Sequence, residues 1–165
     1  MQTPFRKPGE FTNIVPDPHL TQAKFNQLQD KLAKLKSALP GAIKELQRLA
    51  EMGDFSENAA YQMAKGRVRS LNDKIFGIEE HLKSAIIIQP VDQSGSVQLG
   101  STVTINLAGQ EKTYLILGSA EIDLSQNIIS HNSPLGFALM GKKPGDDFTI
   151  KQGDKETIGQ VIKVE

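Results

Sequence analysis

Two acidic side chains near the middle of the chain have the type and spacing that metal chemistry needs. Asp54 and Glu57 lie three positions apart in residues 53–61, whose sequence is GDFSENAAY. Carboxylate oxygens suit Mg²⁺, but this ion dehydrates reluctantly and is usually held by one or two carboxylates together with substrate phosphates. The pair alone should therefore bind Mg²⁺ weakly, and a partner would have to supply the remaining ligands.

The same two residues also have a simple structural interpretation. An Asp at a helix N-cap with a Glu three positions later is a variant of the capping box, and negative charges are favourable at a helix N-terminus. A cap does not exclude a second role, so the residues alone leave both interpretations open.

The segment 53–61 lies between two stretches that carry apolar residues at seven-residue spacing, a pattern typical of coiled-coil seams. The seam residues are Leu28, Leu32, Leu35, Leu39, Ala42, Leu46 and Leu49, then Tyr61, Ala64, Val68, Leu71, Ile75, Ile78, Leu82 and Ala85. The second arm, residues 57–85, would extend roughly 43 Å at about 1.5 Å per residue. Because the connection between the seams is too short for a parallel return, we predict an antiparallel helical hairpin with residues 53–61 at its tip.

Basic side chains flank this predicted tip on both arms. Lys44 and Arg48 are four residues apart on the first arm, and Lys65 and Arg69 are four apart on the second, with Arg67 between them. Such charges are typical of a solvated coiled-coil flank, and charge alone leaves a binding role equally open. The excess of positive charge is too small to imply free-standing nucleic-acid binding, and no RNA- or DNA-binding motif is present.

The composition of the chain excludes several other functions. The 165 residues contain no cysteine, which excludes disulfides, thiol nucleophiles and cysteine metal sites. No signal peptide or membrane span is recognisable, so we expect a cytoplasmic protein. The histidines at 19, 81 and 131 are far apart in sequence, and we therefore expect no metal-binding histidine pair, with His81 solvated on the surface.

The rest of the chain divides into recognisable parts. Residues 1–19 are a proline-rich leader, expected to be extended or mobile; 20–88 form the hairpin; 89–96 are a linker; and 97–165 form a small domain. Thr21 or a neighbour should begin the first helix. Pro40 lies inside that helix, but the seam continues in register, which predicts a kink near 36–40 rather than a break.

Beyond residue 96 the apolar period changes from seven to two, which predicts strands. Predicted strands are 97–99, 103–107, 113–117, 128–129, 148–150 and 158–164, with a short helix at 134–140 and turns at 108–110 and 143–146. The predicted fold class is therefore α+β, a long antiparallel coiled-coil hairpin followed by a small single-cored α+β domain.

Two segments together resemble a known family. Residues 53–61 between coiled-coil arms resemble the tip of the bacterial Gre transcript cleavage factors, GreA and GreB. Residues 132–142, with the sequence NSPLGFALMGK, followed by Gly145 and Asp146, are similar to the C-terminal domain of that family. The resemblance extends over residues 20–165 in one collinear order.

This resemblance implies a function that the protein does not perform alone. The hairpin would enter the secondary channel of bacterial RNA polymerase, where Asp54 and Glu57 help to hold the second Mg²⁺ and stimulate cleavage of the 3′ end of backtracked RNA. An FKBP-like C-terminal domain would dock at the channel entrance through Asn132, Ser133 and Pro134. The protein would then be a monomer and not itself an enzyme, binding no Mg²⁺ without polymerase.

Departures from the family pattern keep some alternatives open. Lys65, Arg67 and Arg69 resemble the more basic GreB-type arm, which contacts displaced RNA, but Gly66 stands where another basic residue is usual. Whether cleavage is of the GreA type or the GreB type is therefore left open. Gly136 and Phe137 also replace the residues usual after Ser-Pro, and the leader is longer than usual.

Two functions of other classes are the alternatives. One is a channel-occupying inhibitor that does not promote cleavage, against which the intact Asp54 and Glu57 argue. The other is an FKBP-like isomerase or chaperone, for which an aromatic pocket is needed. The predicted core of the domain offers only Phe137, Phe148 and Tyr114, which are few for such a pocket.

Overall fold

The computed structural model describes residues 16–52, 59–89, 95–107, 109–152 and 155–165. It contains a hairpin of two long helices followed by a five-stranded sheet domain. The predicted α+β fold class is confirmed. Within the described part of the chain, no helix is both long and apolar enough to cross a membrane.

The first helix, α1 (Gln22–Glu51), begins where the sequence predicts. Thr21 is its N-cap, and the Thr21 hydroxyl accepts a hydrogen bond from the Lys24 backbone N–H at 3.1 Å. This bond satisfies one of the N–H groups that a helix start leaves without a partner. The helix continues through the exposed Pro40, so the prediction that proline would not break it is confirmed.

The second helix, α2 (Ala59–Ser84), packs against α1 along the predicted seams. All the seam residues are buried or half-buried, whereas most of the intervening positions are exposed. An ion pair between Lys36 and Glu79 joins the arms at 2.6 Å, although a partly exposed pair of this kind stabilises by at most about 1 kcal/mol. Apolar packing along the seams is therefore the main interaction between the arms.

Two very short strands close the base of the hairpin. The strand β1 (His19–Leu20) precedes α1 and pairs in parallel with β2 (Ile86–Ile87), which follows α2. Leu20 is completely buried there. The last residues of the predicted leader are therefore fixed against the chain that leaves the hairpin.

The sheet domain contains five strands and one short helix. Its elements are β3 (Thr102–Leu107), β4 (Gln110–Leu117), β5 (Ile128–Ser130), α3 (Pro134–Leu139), β6 (Asp147–Gln152) and β7 (Lys155–Val164). The strand order is β5-β4-β3-β7-β6, in which only β4 and β5 are parallel. The core lies on one face of this sheet and comprises Val97, Val103, Ile105, Ile116, Ile129, Leu139, Phe148 and Val161.

Two predictions about this domain are wrong. Residues 97–99 do not form a strand, because the backbone of Val97 bonds to Gly141 and Lys142 just after α3, although its side chain is buried as the pattern suggested. Phe137 is not in the core, since 78% of it is exposed on α3, whereas Phe148 is buried.

Candidate functional site

The two helices of the hairpin approach the predicted tip from either side. The arm α1 ends at Glu51 and α2 begins at Ala59, and the two helices pack against each other. Asp54 and Glu57 lie outside the described residues. The predicted roles of these two carboxylates, as caps and as metal ligands, therefore stay predictions.

The five basic residues near the tip are all exposed, but their surroundings differ. The Arg48 guanidinium donates to both carboxylate oxygens of Glu45, at 2.8 and 3.0 Å. This hydrogen bond and the opposite charge raise the pKa of Arg48 and lower that of Glu45. The positive charge of Arg48 is thus partly offset by a neighbour on its own helix.

The positive charges on the second arm are less closely paired with carboxylates than that of Arg48. Arg69 lies 4.0 Å from Asp73, at the limit of an ion pair. Lys65 and Arg67, like Lys44 on the first arm, form no ion pair with any other described residue. Lys65 and Arg67 are therefore the cations of α2 best able to meet an added phosphate.

A groove between the arms is lined by one of the five basic residues, Arg67, and by the acidic Glu45. Its volume is about 610 Å³, and Arg67 of α2 lies across it from Glu45 of α1, with the exposed Met63 beside them. Lys44, Lys65 and Arg69 do not line it. Of the five basic residues, Arg67 is therefore the one that lines this groove.

The predicted docking segment of the sheet domain has a clear local structure. The Ser133 hydroxyl accepts from the Gly136 N–H at 3.0 Å and donates to the Ser130 carbonyl at 2.6 Å, so Ser133 is the N-cap of α3. Pro134 occupies the first helical position, where its missing N–H costs nothing. Asn132 and Pro134 are exposed, and the Asn132 N–H donates to the Ser130 hydroxyl at 3.0 Å.

The two departures that follow Ser-Pro also have distinct surroundings. A Cβ at Gly136 would collide with the carbonyl oxygen of Ser130, so the close approach of α3 to β5 requires glycine. Phe137 points away from the core and is 78% exposed, three residues after the exposed Pro134. Pro134 and Phe137 are therefore two exposed apolar side chains within one turn of α3.

A polar cluster that the sequence analysis missed lies between the hairpin base and the sheet domain. This junction cluster consists of Asp17, His19, Ser119 and His131. The Asp17 carboxylate accepts from the His19 N–H at 3.1 Å, from the Ser119 N–H at 2.7 Å and from the Ser119 hydroxyl at 2.9 Å. Its oxygens also lie 2.9 Å from His19 Nδ1 and 3.5 Å from His131 Nδ1.

The surroundings of Asp17 stabilise its charged form. Burial by itself would raise the pKa of this carboxyl, since only 5% of the side chain is exposed. The hydrogen bonds from Ser119 and His19 outweigh burial and lower the pKa to about 2. Asp17 is therefore an ionised carboxylate that connects the leader, the hairpin base and the sheet domain.

The expectation that His81 is solvated is wrong, and the separation of His19 and His131 in sequence does not keep them apart in the fold. The rings of His19 and His131 are 5.3 Å apart in an edge-to-face arrangement, so a close histidine pair does exist. His81 is half-buried, and its Nε2 lies 2.9 Å from the carbonyl oxygen of Asp17. All three histidines of the chain thus converge on Asp17, and the short Asp-Pro-His run before α1 was the only sequence signal for it.

A second carboxylate connects the hairpin to the sheet domain directly. Glu121 follows β4 and accepts from the Thr21 N–H at 2.8 Å and from the Thr21 hydroxyl at 2.5 Å. Thr21 is also the N-cap of α1, so the start of the first arm is bonded to the sheet domain. These bonds help to set the direction in which the hairpin leaves the domain.

Family comparisons cover nearly all of the described chain. The model described as "Transcription elongation factor, N-terminal" matches residues 19–87. The model described as "Transcription elongation factor, GreA/GreB, C-term" matches residues 92–165. Both parts of the fold, the helical hairpin and the α+β sheet domain, thus match models of transcription elongation factors, and this is the class of the protein.

The relatives identify the family. Transcription elongation factor GreA of Cereibacter sphaeroides is 36% identical over 148 residues, which cover 88% of this chain and 98% of that protein. GreA of Paracoccus denitrificans is 36% identical over 134 residues, covering 79% of this chain and 86% of the relative. This chain belongs to the GreA/GreB family of transcription elongation factors.

Solved structures of related proteins show lower similarity. GreA factor homolog 1 of Thermus thermophilus is 27% identical, with a TM-score of 0.42 over 90% of this chain and 99% of that one. The GreA/GreB factor of Nitrosomonas europaea is 19% identical, with a TM-score of 0.39 over 88% of this chain and 97% of that one.

Proposed function

We propose that this elongation factor inserts its hairpin into the secondary channel of bacterial RNA polymerase and stimulates cleavage of the 3′ end of backtracked RNA. The observation that carries this proposal is the pair Asp54 and Glu57, placed between two long helices in a member of the GreA/GreB family. Rescue of arrested complexes in the cytoplasm would be the outcome.

The dimensions and packing of the hairpin support insertion into a channel. At about 1.5 Å per residue, the 30 residues of α1 extend roughly 45 Å. Most large apolar residues of the two arms lie in the seams, with Ile43, Met63 and Phe76 exposed, and the rest of the outer surface is mostly polar. A narrow, polar, two-helix projection can enter a hydrated passage as a monomer.

The donor set at the tip is chemically suited to Mg²⁺ shared with another protein. Two carboxylates are too few to bind this ion firmly, but they can complete a coordination sphere that polymerase and RNA begin. Bound Mg²⁺ would supply an activated water and stabilise the leaving oxygen. The contribution of this chain is to hold Asp54 and Glu57 where those ligands are missing, so the factor is not an enzyme by itself.

The remaining predicted residues would position the hairpin and the transcript. Asn132, Ser133 and Pro134 would dock the sheet domain on polymerase, with Phe137 adding exposed apolar surface. Lys65 and Arg67 would meet phosphates of displaced RNA, with Lys44, Arg48 and Arg69 contributing to the general positive charge. The isomerase alternative loses support because Phe148 is buried in the core and Phe137 is exposed on α3.

The decisive experiment is a cleavage assay on stalled, backtracked elongation complexes with Mg²⁺, comparing the wild type with the double variant Asp54→Asn, Glu57→Gln. Asn and Gln serve well at N-cap and N3, so the free energy of unfolding should change by less than about 1 kcal/mol. The amides are poor Mg²⁺ ligands, and cleavage should fall by roughly a hundredfold.

The double variant should still compete with the wild type for polymerase. Cleavage near the wild-type rate would show that the two carboxylates are only caps. Absence of cleavage with the wild type itself, despite binding, would favour the channel-occupying inhibitor.

A further inference from the structure

Three side chains of the junction cluster offer metal ligands that face one another. One ligand atom each from Asp17, His19 and His131 can be chosen so that all three lie within 4.8 Å of one another. The three residues come from the end of the leader, from β1 and from the turn between β5 and α3. Asp17 and His19 are two positions apart in sequence, and chain folding brings His131 to them.

We propose that Asp17, His19 and His131 form a binding site for a transition-metal cation, with Zn²⁺ as the best candidate. Two imidazole nitrogens and one carboxylate oxygen are a donor set that Zn²⁺ uses, with a fourth position left for water or another ligand. Mg²⁺ and Ca²⁺ prefer sets made of oxygen alone. The site is therefore different in chemistry and location from the Mg²⁺ proposed at the tip.

Each histidine lies at close to zinc-ligand spacing from one oxygen of the Asp17 carboxylate, and the two oxygens differ. Asp17 Oδ1 lies 2.9 Å from His19 Nδ1, and Asp17 Oδ2 lies 3.5 Å from His131 Nδ1. Ligand atoms about 2.0–2.2 Å from a tetrahedral ion are roughly 3.3–3.6 Å apart. The three ligand atoms lie within 4.8 Å of one another, so a bound ion would have to draw them together to this spacing.

The ligands are already held by the surrounding structure. Ser119 bonds to the Asp17 carboxylate with both its N–H and its hydroxyl, and the Ser119 hydroxyl lies 2.8 Å from that of Ser130. Outer hydrogen bonds of this kind orient metal-binding carboxylates. His19 belongs to β1, whose pairing with β2 fixes its backbone.

The cluster is also accessible to an ion. Side-chain exposure is 31% for His19 and 17% for His131, whereas Asp17 is buried beneath them. His19 Nδ1 is within hydrogen-bond distance of the Asp17 carboxylate, which can only accept, so Nδ1 carries a proton in this contact. Binding a cation through Nδ1 therefore needs the other neutral tautomer, which carries its proton on Nε2. A bound cation would replace that hydrogen bond with a direct link among the three residues.

Zinc at this position would join the leader and hairpin base to the sheet domain. Asp17 and His19 lie on the hairpin side of the junction, and His131 lies directly before the predicted docking residue Asn132. The ion would therefore stabilise the contact between the two parts, in addition to the bonds from Glu121 to Thr21.

The test is a titration of the full-length, metal-free protein with Zn²⁺ by calorimetry, alongside thermal unfolding. The wild type should bind one Zn²⁺ per chain and unfold at a higher temperature when Zn²⁺ is present. His19→Ala and His131→Ala should each weaken this binding by at least about tenfold to a hundredfold. His81→Ala is the matched control and should retain one tight site, because its ring bonds to the backbone carbonyl of Asp17 and not to the carboxylate.

Cobalt provides a second measurement that does not depend on the stability of a variant. Co²⁺ added to the wild type should give the intense visible absorption of a four-coordinate N/O site, and Zn²⁺ should displace it. Failure of the wild type to bind, or equal affinity in the double variant His19→Ala, His131→Ala, would overturn the proposal. Equal loss in the His81→Ala control would assign the zinc to a different histidine set.

Discussion

At the scale of single residues, Asp17 is a buried carboxylate surrounded by hydrogen-bond donors. Its buried carboxylate receives three hydrogen bonds from Ser119 and the His19 backbone, and both ring contacts described above add to them. A neutral amide has one acceptor oxygen and presents an NH₂ group where donors already point. The carboxylate is therefore matched to this position in both charge and geometry.

The first residue-scale prediction concerns this match. Asp17→Asn should lower the free energy of unfolding in the absence of metal by about 1–3 kcal/mol, because buried donors lose their acceptor. Urea denaturation at neutral pH measures the effect. Asp73→Asn, at a carboxylate that is 74% exposed, is the control and should change stability by less than about 0.5 kcal/mol. Equal effects of the two substitutions would contradict the role given to Asp17.

A second residue-scale prediction concerns the cations of α2. The double variant Lys65→Ala, Arg67→Ala should stimulate cleavage of long backtracked RNA less than the wild type does. Its binding to the backtracked complex should also depend less steeply on salt, because fewer phosphate contacts release fewer counterions on binding. Lys83→Ala, at the hairpin base and paired with Glu80, is the control and should behave as the wild type. An unchanged salt dependence in the double variant would indicate a solvated flank.

The residues also show where sequence reasoning stops. Thr21 was predicted to begin α1, and it does so because a hydroxyl and the N–H three residues later are a local pair. The junction cluster could not be predicted, because it joins Asp17 to Ser119, 102 positions away, through a base held by the short strands β1 and β2. Strands of two residues have no periodicity that a pattern could reveal.

At the scale of elements, the helices and the sheet differ in how closely the sequence specified them. The seven-residue period predicted the buried face of both arms because one geometric rule applies along their whole length. In the sheet domain, alternation located the buried face of β3 but misassigned Val97, whose burial depends on the loop after α3. Burial was thus easier to predict than backbone pairing.

An element-scale prediction compares two glycines. Gly136→Ala should destabilise the fold by several kcal/mol, because the added Cβ would collide with the backbone of β5 and displace α3. Gly66→Ala places the same methyl group on α2 with no atom within 4 Å, and it should stabilise by about 0.5–1 kcal/mol. Thermal unfolding of the two variants provides the comparison. Tolerance of alanine at Gly136 would contradict the close approach described here.

At the scale of the whole molecule, a few polar contacts connect the hairpin to the sheet domain. Residues 17–21 bond to Ser119 and Glu121 on one side and continue directly into α1 on the other. The core of the sheet domain, by contrast, is built from residues after position 96. Each part is therefore packed internally, and the junction determines how they are arranged.

The whole-molecule prediction tests that arrangement. Glu121→Ala removes both acceptors of Thr21, and it should broaden the distribution of distances between the hairpin and the sheet domain. Because the chain has no cysteine, spin labels at Gln47→Cys and Lys112→Cys can report this distance by pulsed electron resonance. The control Asp30→Ala, at an exposed carboxylate of α1, should leave the distribution unchanged. A narrow distribution in the Glu121 variant would assign the orientation to other contacts.

The junction has a geometric consequence because α1 and α2 act as a lever arm. An arm of roughly 45 Å converts a rotation of about 1.3° at its base into a displacement of about 1 Å at its tip. Misplacement by about 1 Å can cost on the order of a hundredfold in a reaction that depends on aligned groups. The range of hairpin rotation that the contacts of Asp17 and Thr21 allow, far from any chemistry, would therefore determine how accurately Asp54 and Glu57 are positioned.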